Sequence, residues 1–555
     1  MTLVCVPIFV ESPAQALADA VQAAEHGADV VEFRVDRCFD GSTGSDDEDR
    51  VIVGELQRLI GHSPLPVILT CRPTWEGGEY DGDDADRVAL FEKLTAASPT
   101  PPAYLDVELA AYTRSANLRQ KINLCVAHEK QERDVPTRLI LSTHDFQGRP
   151  SDLTRKLAAA YAEPAAAIVK VAFRARSLRD NLELFDLLES PPKPTIALGM
   201  GEFGLMSRVL APKFGGFLTF ASLRDQAATA PGQPTLSELL NLYRFRSISK
   251  STRVYGVIGW PVTQSMSPLI HNAGFAEVGH DGVYLPLPVM AEPGDAEASY
   301  TSFKATLGAL VEDKGFGVCG LSVTIPHKES LLRYAAESGW DDTGAEFLGA
   351  MNTLYRRRDE FVSGWSTLNT DVGAVFALAA DVFGEQDLNG RRVAVVGSGG
   401  VGRAVAAYLA EDVARITVYN RTRARAEQAV AEMTASLRDR LTWDIGVASI
   451  EQLTESSHDV YINCTPLGMT GGPGPSALSI PIPDMPNVTE DTVFFDTVYN
   501  PIETPMLRAA KKRGCRTIDG VQMFVKQAAA QFELWTGRPA PEALFDRLVR
   551  AELDS

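Results

Sequence analysis

The chain has 555 residues, of which 45% are hydrophobic and 23% charged, as in an ordinary globular protein. This length exceeds what one hydrophobic core usually serves, so we expect about two to four domains. The formal net charge of -19 at pH 7 argues against nucleic acid or an anionic membrane surface as the main partner.

The cysteines, the histidines and the first residues point to a compartment and exclude a metal. The seven cysteines include no CxxC pair, which is typical of reduced thiols rather than of a disulfide framework. The eight histidines show no zinc-site spacing, so we predict no metal. The apolar run from Leu3 to Val10 is too short to span a bilayer. We predict a cytoplasmic location, or the plastid stroma if a transit peptide has been removed.

Short apolar runs alternate with helical patterns over about the first 245 residues. The runs cover residues 3–10, 30–36, 67–72, 104–109, 139–146, 167–173, 195–201 and 217–222. Eight such strands with helical crossovers predict a (β/α)8 barrel, with an open doubly wound sheet as the alternative. We expect the closing helix of the barrel between Pro231 and Arg246, followed by a polar linker at residues 247–253.

In a barrel of this kind the chemistry lies at the carboxyl ends of the strands. The predicted strand ends carry a lysine, a histidine, several carboxylates and three arginines: Glu32, Arg34, Arg72, Glu76, Asp106, Glu108, His144, Asp145, Lys170, Arg208, Thr229 and Gln233. The arginines are suited to hold a carboxylate by bidentate pairing. This inventory predicts an active site at the rim of the barrel.

Lys170 lies in an otherwise apolar strand, residues 168–172. Burial disfavours the ammonium form and favours a free amine that can attack a ketone. The resulting iminium acidifies the adjacent carbon. His144, one strand away, is suited to remove that proton and later return one to a leaving hydroxyl. The alternative is that Lys170 is a structural ion-pair partner of Glu32 or Glu108.

These residues belong to segments that match a known family. The segments are Glu32-Phe33-Arg34-Val35-Asp36, Glu76-Gly77-Gly78-Glu79, Ser142-Thr143-His144-Asp145-Phe146, the Lys170 strand and Ala230-Pro231-Gly232-Gln233. Over about residues 1–245 they resemble type I 3-dehydroquinate dehydratase. The resemblance implies that Lys170 forms an imine with the substrate ketone, that His144 is the general acid/base of a syn elimination of water, and that Glu76 orients His144. The implied substrate-binding residues are Glu32, Arg34, Arg72, Arg208, Thr229 and Gln233. Thr229 stands where many members have serine, and it keeps the hydroxyl donor.

A glycine-rich turn opens the last part of the chain. Gly397-Ser398-Gly399-Gly400-Val401-Gly402 follows the strand Arg392–Val396 and begins an alanine-rich helix. In that context the backbone N–H groups of Gly397, Gly399, Gly400 and Gly402 can receive a pyrophosphate, although a tight strand-to-helix turn would explain the glycines too.

The residues after the next strand favour one nucleotide over the other. An NAD enzyme places an acidic residue about 20 residues beyond the glycines. This chain has Asn420-Arg421-Thr422-Arg423-Ala424-Arg425 there instead. Arginines and a hydroxyl are suited to a 2′-phosphate, so we predict NADP rather than NAD.

Polar residues between the linker and the glycine-rich turn are suited to substrate binding. Ser265 and Ser267 lie in a loop before a helix and can bind a carboxylate, although Ser267 could simply cap that helix. Lys328 follows a strand, and Asp371 can hold it in place. Such a pair can supply a proton to a carbonyl oxygen while hydride arrives at carbon. The alternative is that Lys328 is an ordinary solvated side chain.

Residues 253–555 as a whole resemble shikimate dehydrogenase. The matching segments are Gly259-Trp260-Pro261, Ser265-Met266-Ser267-Pro268, residues 324–328, Asn352-Thr353, Asn369-Thr370-Asp371, the glycine-rich turn, Asn420-Arg421-Thr422, Asn463-Cys464-Thr465, Tyr499-Asn500-Pro501 and Gln527. The resemblance implies that Lys328 and Asp371 are the catalytic pair. The implied shikimate contacts are Ser265, Ser267, Thr324, Asn352, Tyr499 and Gln527, and the implied nucleotide contacts are Asn420, Arg421, Thr422, Arg425 and Thr465. Ser322 replaces an asparagine frequent in bacterial members and Met266 replaces the usual lysine. Ser322 and the domain order resemble the fused plant enzymes.

The predicted fold is α/β. We expect a TIM barrel at residues 1–246, a substrate-binding lobe at 253–384 plus 520–555, and a Rossmann-type NADP lobe at 385–519. The predicted enzyme dehydrates 3-dehydroquinate and reduces the product to shikimate with NADPH, so its partners are small molecules. A quinate dehydrogenase and a non-catalytic quinate or shikimate sensor are the alternatives. The four residues Lys170, His144, Lys328 and Asp371 argue against the sensor.

Overall fold

The computed structural model describes residues 1–554 except 39–45, 129–135, 225–231, 341–348, 359–362, 384–389, 411–412, 414 and 437–443. The chain divides into two compact units, Met1–Thr252 and Arg253–Ser555. Among the described residues, no helix is long and apolar enough to cross a membrane. The predicted boundary between residues 384 and 385 lies outside the described residues.

The first unit is built on parallel strands: β1 (Leu3–Phe9), β2 (Val30–Arg34), β3 (Val67–Thr70), β4 (Tyr104–Glu108), β5 (Arg138–Asp145), β6 (Ala166–Arg174), β7 (Thr195–Met200) and β8 (Leu218–Phe220). They form one sheet in the order β7-β6-β5-β4-β3-β2-β1-β8. The Phe217 N–H, just before β8, donates to the Thr195 carbonyl at 2.8 Å and brings the two sheet edges together. The predicted barrel is confirmed, because a doubly wound sheet would reverse its strand order.

The helices of this unit are α1 (Pro13–Glu25), α2 (Asp46–His62), α3 (Asp84–Leu94), α4 (Leu109–Arg114), α5 (Ala116–Cys125), α6 (Leu153–Ala162), α7 (Asp180–Glu189), α8 (Leu205–Val209) and α9 (Ala211–Phe214). Every residue of β2, β3 and β7 is buried. Burial on both faces explains why these strands are almost continuously apolar in the sequence.

The end of the first unit differs from the prediction. Instead of a regular closing helix, the chain forms a π-helical turn at Glu238–Leu242 and a 3-10 turn at Phe245–Ser247. Arg244, between them, has a φ of 53°. A left-handed residue interrupts the helical hydrogen bonds, so the predicted helix is present over residues 236–242 but does not continue to Arg246.

The second unit begins with a mixed sheet of β9 (Arg253–Gly259), β10 (Gly282–Pro288), β11 (Val318–Val323), β12 (Thr353–Arg358) and β13 (Ser363–Leu368). The order is β10-β9-β11-β12-β13, with the first three strands parallel and the last two antiparallel to their neighbours. Its helices are α10 (Ser267–Glu277), α11 (Ala296–Glu312), α12 (Lys328–Ser338) and α13 (Thr370–Phe383).

A parallel sheet follows, made of β14 (Arg392–Val396), β15 (Arg415–Asn420), β16 (Ile445–Ser449), β17 (Val460–Asn463), β18 (Val493–Asp496) and β19 (Arg516–Ile518). Its helices are α14 (Gly400–Leu409), α15 (Arg423–Ser436) and α16 (Pro505–Lys512). The order β16-β15-β14-β17-β18-β19 reverses beside β14, which is the Rossmann arrangement, and dinucleotides bind at this reversal. The predicted Rossmann-type fold is confirmed.

The last helices, α17 (Gly520–Thr536) and α18 (Glu542–Leu553), return to the mixed sheet. Trp535 on α17 donates its indole N–H to the Leu354 carbonyl at 3.1 Å. A Cβ added at Gly320 of β11 would lie 2.2 Å from the Trp535 ring, so only glycine allows this approach. The contact anchors α17, the helix that also carries Gln527.

Candidate active sites

A cavity of about 70 Å³ lies at the carboxyl ends of the barrel strands. Its lining includes Glu32, Arg34, Arg72, Glu76, His144, Lys170, Arg208 and Gln233. The cavity therefore brings together every catalytic and substrate-binding residue that the family resemblance implies for the barrel, except Thr229, which lies outside the described residues.

Lys170 is held in the cavity by carboxylates. Its Nζ donates to Asp106 Oδ2 at 2.9 Å and lies 3.8 Å from Glu32 Oε1 and 4.6 Å from the centre of the Phe220 ring. Burial favours the neutral form of Asp106, but the charges of Arg72 and Lys170 outweigh it and hold the pKa of this carboxyl below its usual range. An ionised Asp106 therefore fixes the amine. Lys170 does form the ion pair with Glu32 that was the alternative, but the closest carboxylate to its Nζ is that of Asp106.

His144 is oriented by Glu76. Oε2 of Glu76 accepts the His144 backbone N–H at 3.2 Å and lies 2.9 Å from Nδ1 of the ring. Burial, with the positive charges of Arg72 and Lys170, lowers the pKa of His144 well below its usual value. Burial also raises the pKa of Glu76 to about 8, although Arg72 opposes the shift. The imidazole is therefore neutral at pH 7, as a general base must be.

The three arginines differ in what holds them. Arg72 pairs with Asp106 Oδ1 at 2.9 Å and with Glu108 Oε1 at 2.6 Å, and Arg34 pairs with Asp36. Arg208, on α8, is buried, and its Nε has no hydrogen-bond partner among the described residues. Burial lowers the pKa of Arg208 to about 10. Of the three, Arg208 has the most capacity for a ligand carboxylate.

Two buried carboxylates received no role from sequence reasoning. Asp106 was counted among the strand-end residues, yet its contacts to Lys170 and Arg72 cross between strands. Asp36 accepts from Arg34 Nε at 3.1 Å and from the Arg72 backbone N–H at 2.9 Å. The only available signal was the presence of acidic residues in strands that are otherwise apolar.

A larger cavity of about 390 Å³ lies in the second unit. Its lining includes all the predicted shikimate contacts and the catalytic pair: Ser265, Ser267, Thr324, Lys328, Asn352, Asp371, Tyr499 and Gln527. Lys328 Nζ donates to Asp371 Oδ2 at 2.6 Å. Both side chains lie in the first turns of their helices, α12 and α13, and both are largely shielded, with exposures of 21% and 14%. Val401, from the glycine-rich turn, borders the same cavity.

The glycine-rich turn is shaped for close approach. Gly397 has a φ of 107°, and a Cβ added at Gly402 would lie 2.0 Å from the Gly397 carbonyl oxygen. A Cβ added at Gly399 or Gly400 would meet nothing within 4 Å, so open space lies in front of the amino end of α14. This end offers backbone N–H groups to an anion. Thr465 borders the turn, its Oγ1 donating to Asn463 Oδ1 at 2.7 Å.

The residues that follow β15 carry several arginines and form a positively charged segment. Asn420 Nδ2 donates to the Thr422 carbonyl at 2.9 Å, which closes the turn into α15. Arg421 and Arg425 are exposed, whereas Arg423 pairs with Glu427 at 2.8 Å. Asn420 ends β15 where an NAD site has its acidic residue, so the side chains present fit a 2′-phosphate.

Models of protein families match four parts of the chain. The matches are Type I 3-dehydroquinase at residues 4–250, Shikimate dehydrogenase substrate binding domain at 257–354, Shikimate / quinate 5-dehydrogenase at 377–456 and Shikimate 5'-dehydrogenase C-terminal domain at 520–550. A barrel with a buried lysine and a Rossmann-type unit with a Lys–Asp pair thus define a two-site metabolic enzyme.

Two named relatives match nearly the whole chain, and a third matches about half of it. The chloroplastic bifunctional 3-dehydroquinate dehydratase/shikimate dehydrogenase of Arabidopsis thaliana is 35% identical over 99% of this chain and 84% of its own length. The shikimate dehydrogenase (NADP(+)) of Moorella thermoacetica is 37% identical over 55% of this chain and 94% of its own. The pentafunctional AROM polypeptide of Eremothecium gossypii is 31% identical over 95% of this chain and 31% of its own.

The chain belongs to the family of bifunctional 3-dehydroquinate dehydratase/shikimate dehydrogenases. The predicted lyase and oxidoreductase activities of the shikimate pathway are confirmed.

Proposed function

We propose that the first unit dehydrates 3-dehydroquinate through an imine on Lys170, and that the second reduces the product, 3-dehydroshikimate, to shikimate with NADPH. The observation that carries the first step is the meeting of Lys170 and a neutral His144 in one buried cavity. The Lys328–Asp371 contact at the larger cavity carries the second.

The dehydration proceeds on the chain's own side chains. Lys170 first loses one ammonium proton, and its free amine attacks the ketone carbon. The ketone oxygen then leaves as water with that proton and one proton of the amine, which leaves a protonated imine. The iminium draws electrons from the adjacent carbon, and His144 takes a proton from it through Nε2. His144 then returns the proton to the departing hydroxyl, which leaves as water. Hydrolysis of the imine frees Lys170 and the product.

The other residues of the barrel site orient these groups. Glu76 Oε2 already accepts one N–H from the His144 backbone, which favours a proton on Nδ1 and leaves Nε2 as the base. Arg208 takes the substrate carboxylate, because it is a buried cation without an ion pair among the described residues. Glu32, Arg34, Arg72 and Gln233 complete the contacts, and Thr229 remains a predicted contact.

In the second unit the residues hold both ligands. When bound, NADPH supplies the hydride. The amino end of α14 and Thr465 hold its pyrophosphate side, and Arg421 and Arg425 hold the 2′-phosphate. Lys328 gives a proton to the substrate oxygen while Asp371 keeps the amine in position. The shikimate contacts are Ser265, Ser267, Thr324, Asn352, Tyr499 and Gln527.

The domain assignment and the location are part of the same proposal. We assign residues 1–246 to the dehydratase, 253–384 plus 520–555 to the substrate-binding lobe, and 385–519 to the nucleotide lobe. All seven cysteines are free thiols, which supports a reducing compartment, the cytoplasm or the plastid stroma.

Borohydride trapping tests the imine. Reduction in the presence of 3-dehydroquinate should leave one covalent adduct on Lys170, located by peptide mass spectrometry. Lys213 is the matched control, because it is a second buried lysine of this unit whose Nζ donates to backbone carbonyls. An adduct on Lys213, or none at all, contradicts the proposal.

A coupled assay tests both steps together. Purified protein given 3-dehydroquinate and NADPH should oxidise NADPH, since the first unit makes the substrate of the second. Quinate with NAD or NADP, offered separately, tests the quinate alternative. A chain that binds these ligands and turns over none of them is the sensor.

A further inference from the structure

A line of buried hydrogen bonds connects side chains in and next to the wall of the larger cavity. The Tyr284 hydroxyl donates to Ser322 Oγ at 2.7 Å, and the Ser322 hydroxyl donates to Gln531 Oε1 at 2.8 Å. Gln531 Nε2 donates to Thr353 Oγ1 at 2.9 Å. The Thr353 hydroxyl then donates to Asn352 Oδ1 at 2.7 Å. All four donors point in one direction, from Tyr284 to Asn352.

The line ties four elements of the second unit. Tyr284 lies on β10, Ser322 on β11, Thr353 on β12 and Gln531 on α17. Their exposures are between 0% and 6%, so water cannot replace a lost partner. The Ser322 and Thr353 hydroxyls both accept and donate, and both polar atoms of the Gln531 amide are engaged. The order of donors is therefore determined by the set of side chains as a whole.

The line ends at a residue that faces the cavity. Oδ1 of Asn352 also accepts the Thr370 backbone N–H at 2.8 Å and the Thr370 hydroxyl at 3.1 Å. A backbone N–H can only donate, so the amide oxygen must lie on this side. The Nδ2 group of Asn352 is thereby left for the cavity, which Asn352 lines.

The other end also reaches a cavity residue. The Ser267 side chain opposes the burial that raises the pKa of Tyr284, so the two groups are neighbours, and Ser267 lines the same cavity. Tyr284 and Thr353 themselves are not among the described residues that line it. The line therefore joins Ser267 and Asn352 through Ser322 and Gln531, which line the cavity themselves, and through Tyr284 and Thr353, which do not.

We infer that Tyr284 and Thr353 are positioning residues for shikimate: through Ser322 and Gln531 they hold the Asn352 amide with its N–H groups toward the ligand. Aligned hydrogen bonds polarise one another, so the line also makes Asn352 a stronger donor. This inference rests on the proposed function, in which Asn352 and Ser267 contact shikimate.

Thr353→Val tests the line, because valine keeps the shape of threonine and replaces only the hydroxyl with a methyl group. We expect the Kd for shikimate, measured by calorimetry on the full chain, to rise about tenfold or more. The KM for NADP+ and the dehydration of 3-dehydroquinate should stay unchanged, and the kcat for shikimate oxidation should fall less than the affinity. Thr353→Ser restores the hydroxyl and should return the Kd to within about twofold of the original.

A double-mutant cycle shows whether Thr353 acts through Asn352. In an Asn352→Ala background, Thr353→Val should weaken shikimate binding by no more than about twofold, since the group it positions is gone. Tyr284→Phe, at the far end, should also raise the Kd for shikimate while leaving the KM for NADP+ unchanged.

The outcomes separate this inference from the proposed function. If the unaltered chain neither binds nor oxidises shikimate, the proposed function fails. If it oxidises shikimate but Thr353→Val binds shikimate as tightly as the unaltered chain, only this inference fails. Equal losses for shikimate and NADP+, or independent effects in the cycle, would show a merely structural role and overturn it.

Discussion

Burial determines the charge state of the dehydration site at the level of single residues. His144 and Glu76 are both pushed toward their neutral forms, while Asp106 beside them is kept ionised by Arg72 and Lys170. The difference arises because Asp106 contacts two cations directly, whereas Glu76 contacts an imidazole. The site thus holds the neutral imidazole of His144 and the ionised carboxylate of Asp106 only a few side chains apart.

The first prediction concerns the pH dependence of dehydration. In the proposed mechanism His144 is the base in its neutral form, and its lowered pKa keeps it neutral as the solution is acidified. We expect the acid limb of kcat/KM for 3-dehydroquinate to reach half-maximum below pH 6.5, the ordinary value for histidine. A steady-state pH profile measures this, and an acid limb centred at or above that pH would contradict it.

Glu76 should lower the stability of the folded chain as the pH rises from 4.5 to 8. The pKa of Glu76 in the folded chain is about 8, above the ordinary value of 4.5. Its contribution to the free energy of unfolding is therefore fully present below pH 4.5 and is lost as the pH rises through 8. The loss has a maximum slope of about 1.4 kcal/mol per pH unit. Glu76→Gln cannot ionise and keeps an acceptor oxygen for His144. Its unfolding midpoint relative to the unaltered chain should therefore increase from pH 5 to pH 8 (calorimetry), and a constant difference would contradict this.

Arg208 is expected to dominate carboxylate binding in the barrel. Arg208→Gln should raise the KM for 3-dehydroquinate at least about thirtyfold, because a buried charge-assisted pair is lost. Arg149→Gln, which removes an exposed arginine paired with Glu183, is the control and should leave the KM unchanged. Equal KM values for the two variants would assign the carboxylate to another residue.

At the scale of elements, close approaches between strand and helix position the second site. Gly402 lets α14 begin directly against the end of β14, and Gly320 lets β11 pack on Trp535 of α17. Both contacts place a helix that lines or borders the larger cavity. The helices could not reach these positions if either glycine carried a side chain.

Gly402→Ala should therefore destabilise the nucleotide lobe. The added Cβ would lie 2.0 Å from the Gly397 carbonyl oxygen, so the backbone must shift. We expect a loss of about 1–3 kcal/mol, measured as a lower unfolding midpoint of the second unit. Gly399→Ala is the matched control, because its Cβ would meet nothing within 4 Å. Similar midpoints for the two variants would contradict the close-approach argument.

At the scale of the whole molecule, the chain is two compact units with a separate site in each. The buried side chains of the barrel core, such as Val30, Ile68 and Ile196, all belong to the first unit. The core around Trp535 and Phe532 belongs entirely to the second. Each activity should therefore depend on its own unit.

Crossed substitutions test this independence. Lys170→Ala should abolish dehydration of 3-dehydroquinate and leave shikimate oxidation with NADP+ unchanged. Lys328→Ala should do the reverse, since each lysine lies in its own cavity. Separate spectrophotometric assays of the two reactions measure this. Loss of both activities in either variant would contradict the two-site picture.

Much of the fold could be predicted from local patterns. The apolar runs correspond to the barrel strands within a residue or two, because a strand buried on both faces must be apolar along its length. The closing helix is shorter than predicted, because a single left-handed residue, Arg244, ends it before Arg246. Such a backbone change leaves no periodic signal in the sequence.

The sequence by itself determined which side chains could do chemistry: Lys170 and His144 at strand ends, Lys328 and Asp371 in motifs, and arginines in place of an acidic residue after β15. The tertiary structure alone decided which partners they have. Asp106 on Lys170 and the line from Tyr284 to Asn352 join residues far apart in the chain, and Arg208 Nε is left without a hydrogen-bond partner among the described residues. Charge state and hydrogen-bond direction depend on burial and on distances of a few ångströms, and these are set only when the elements pack.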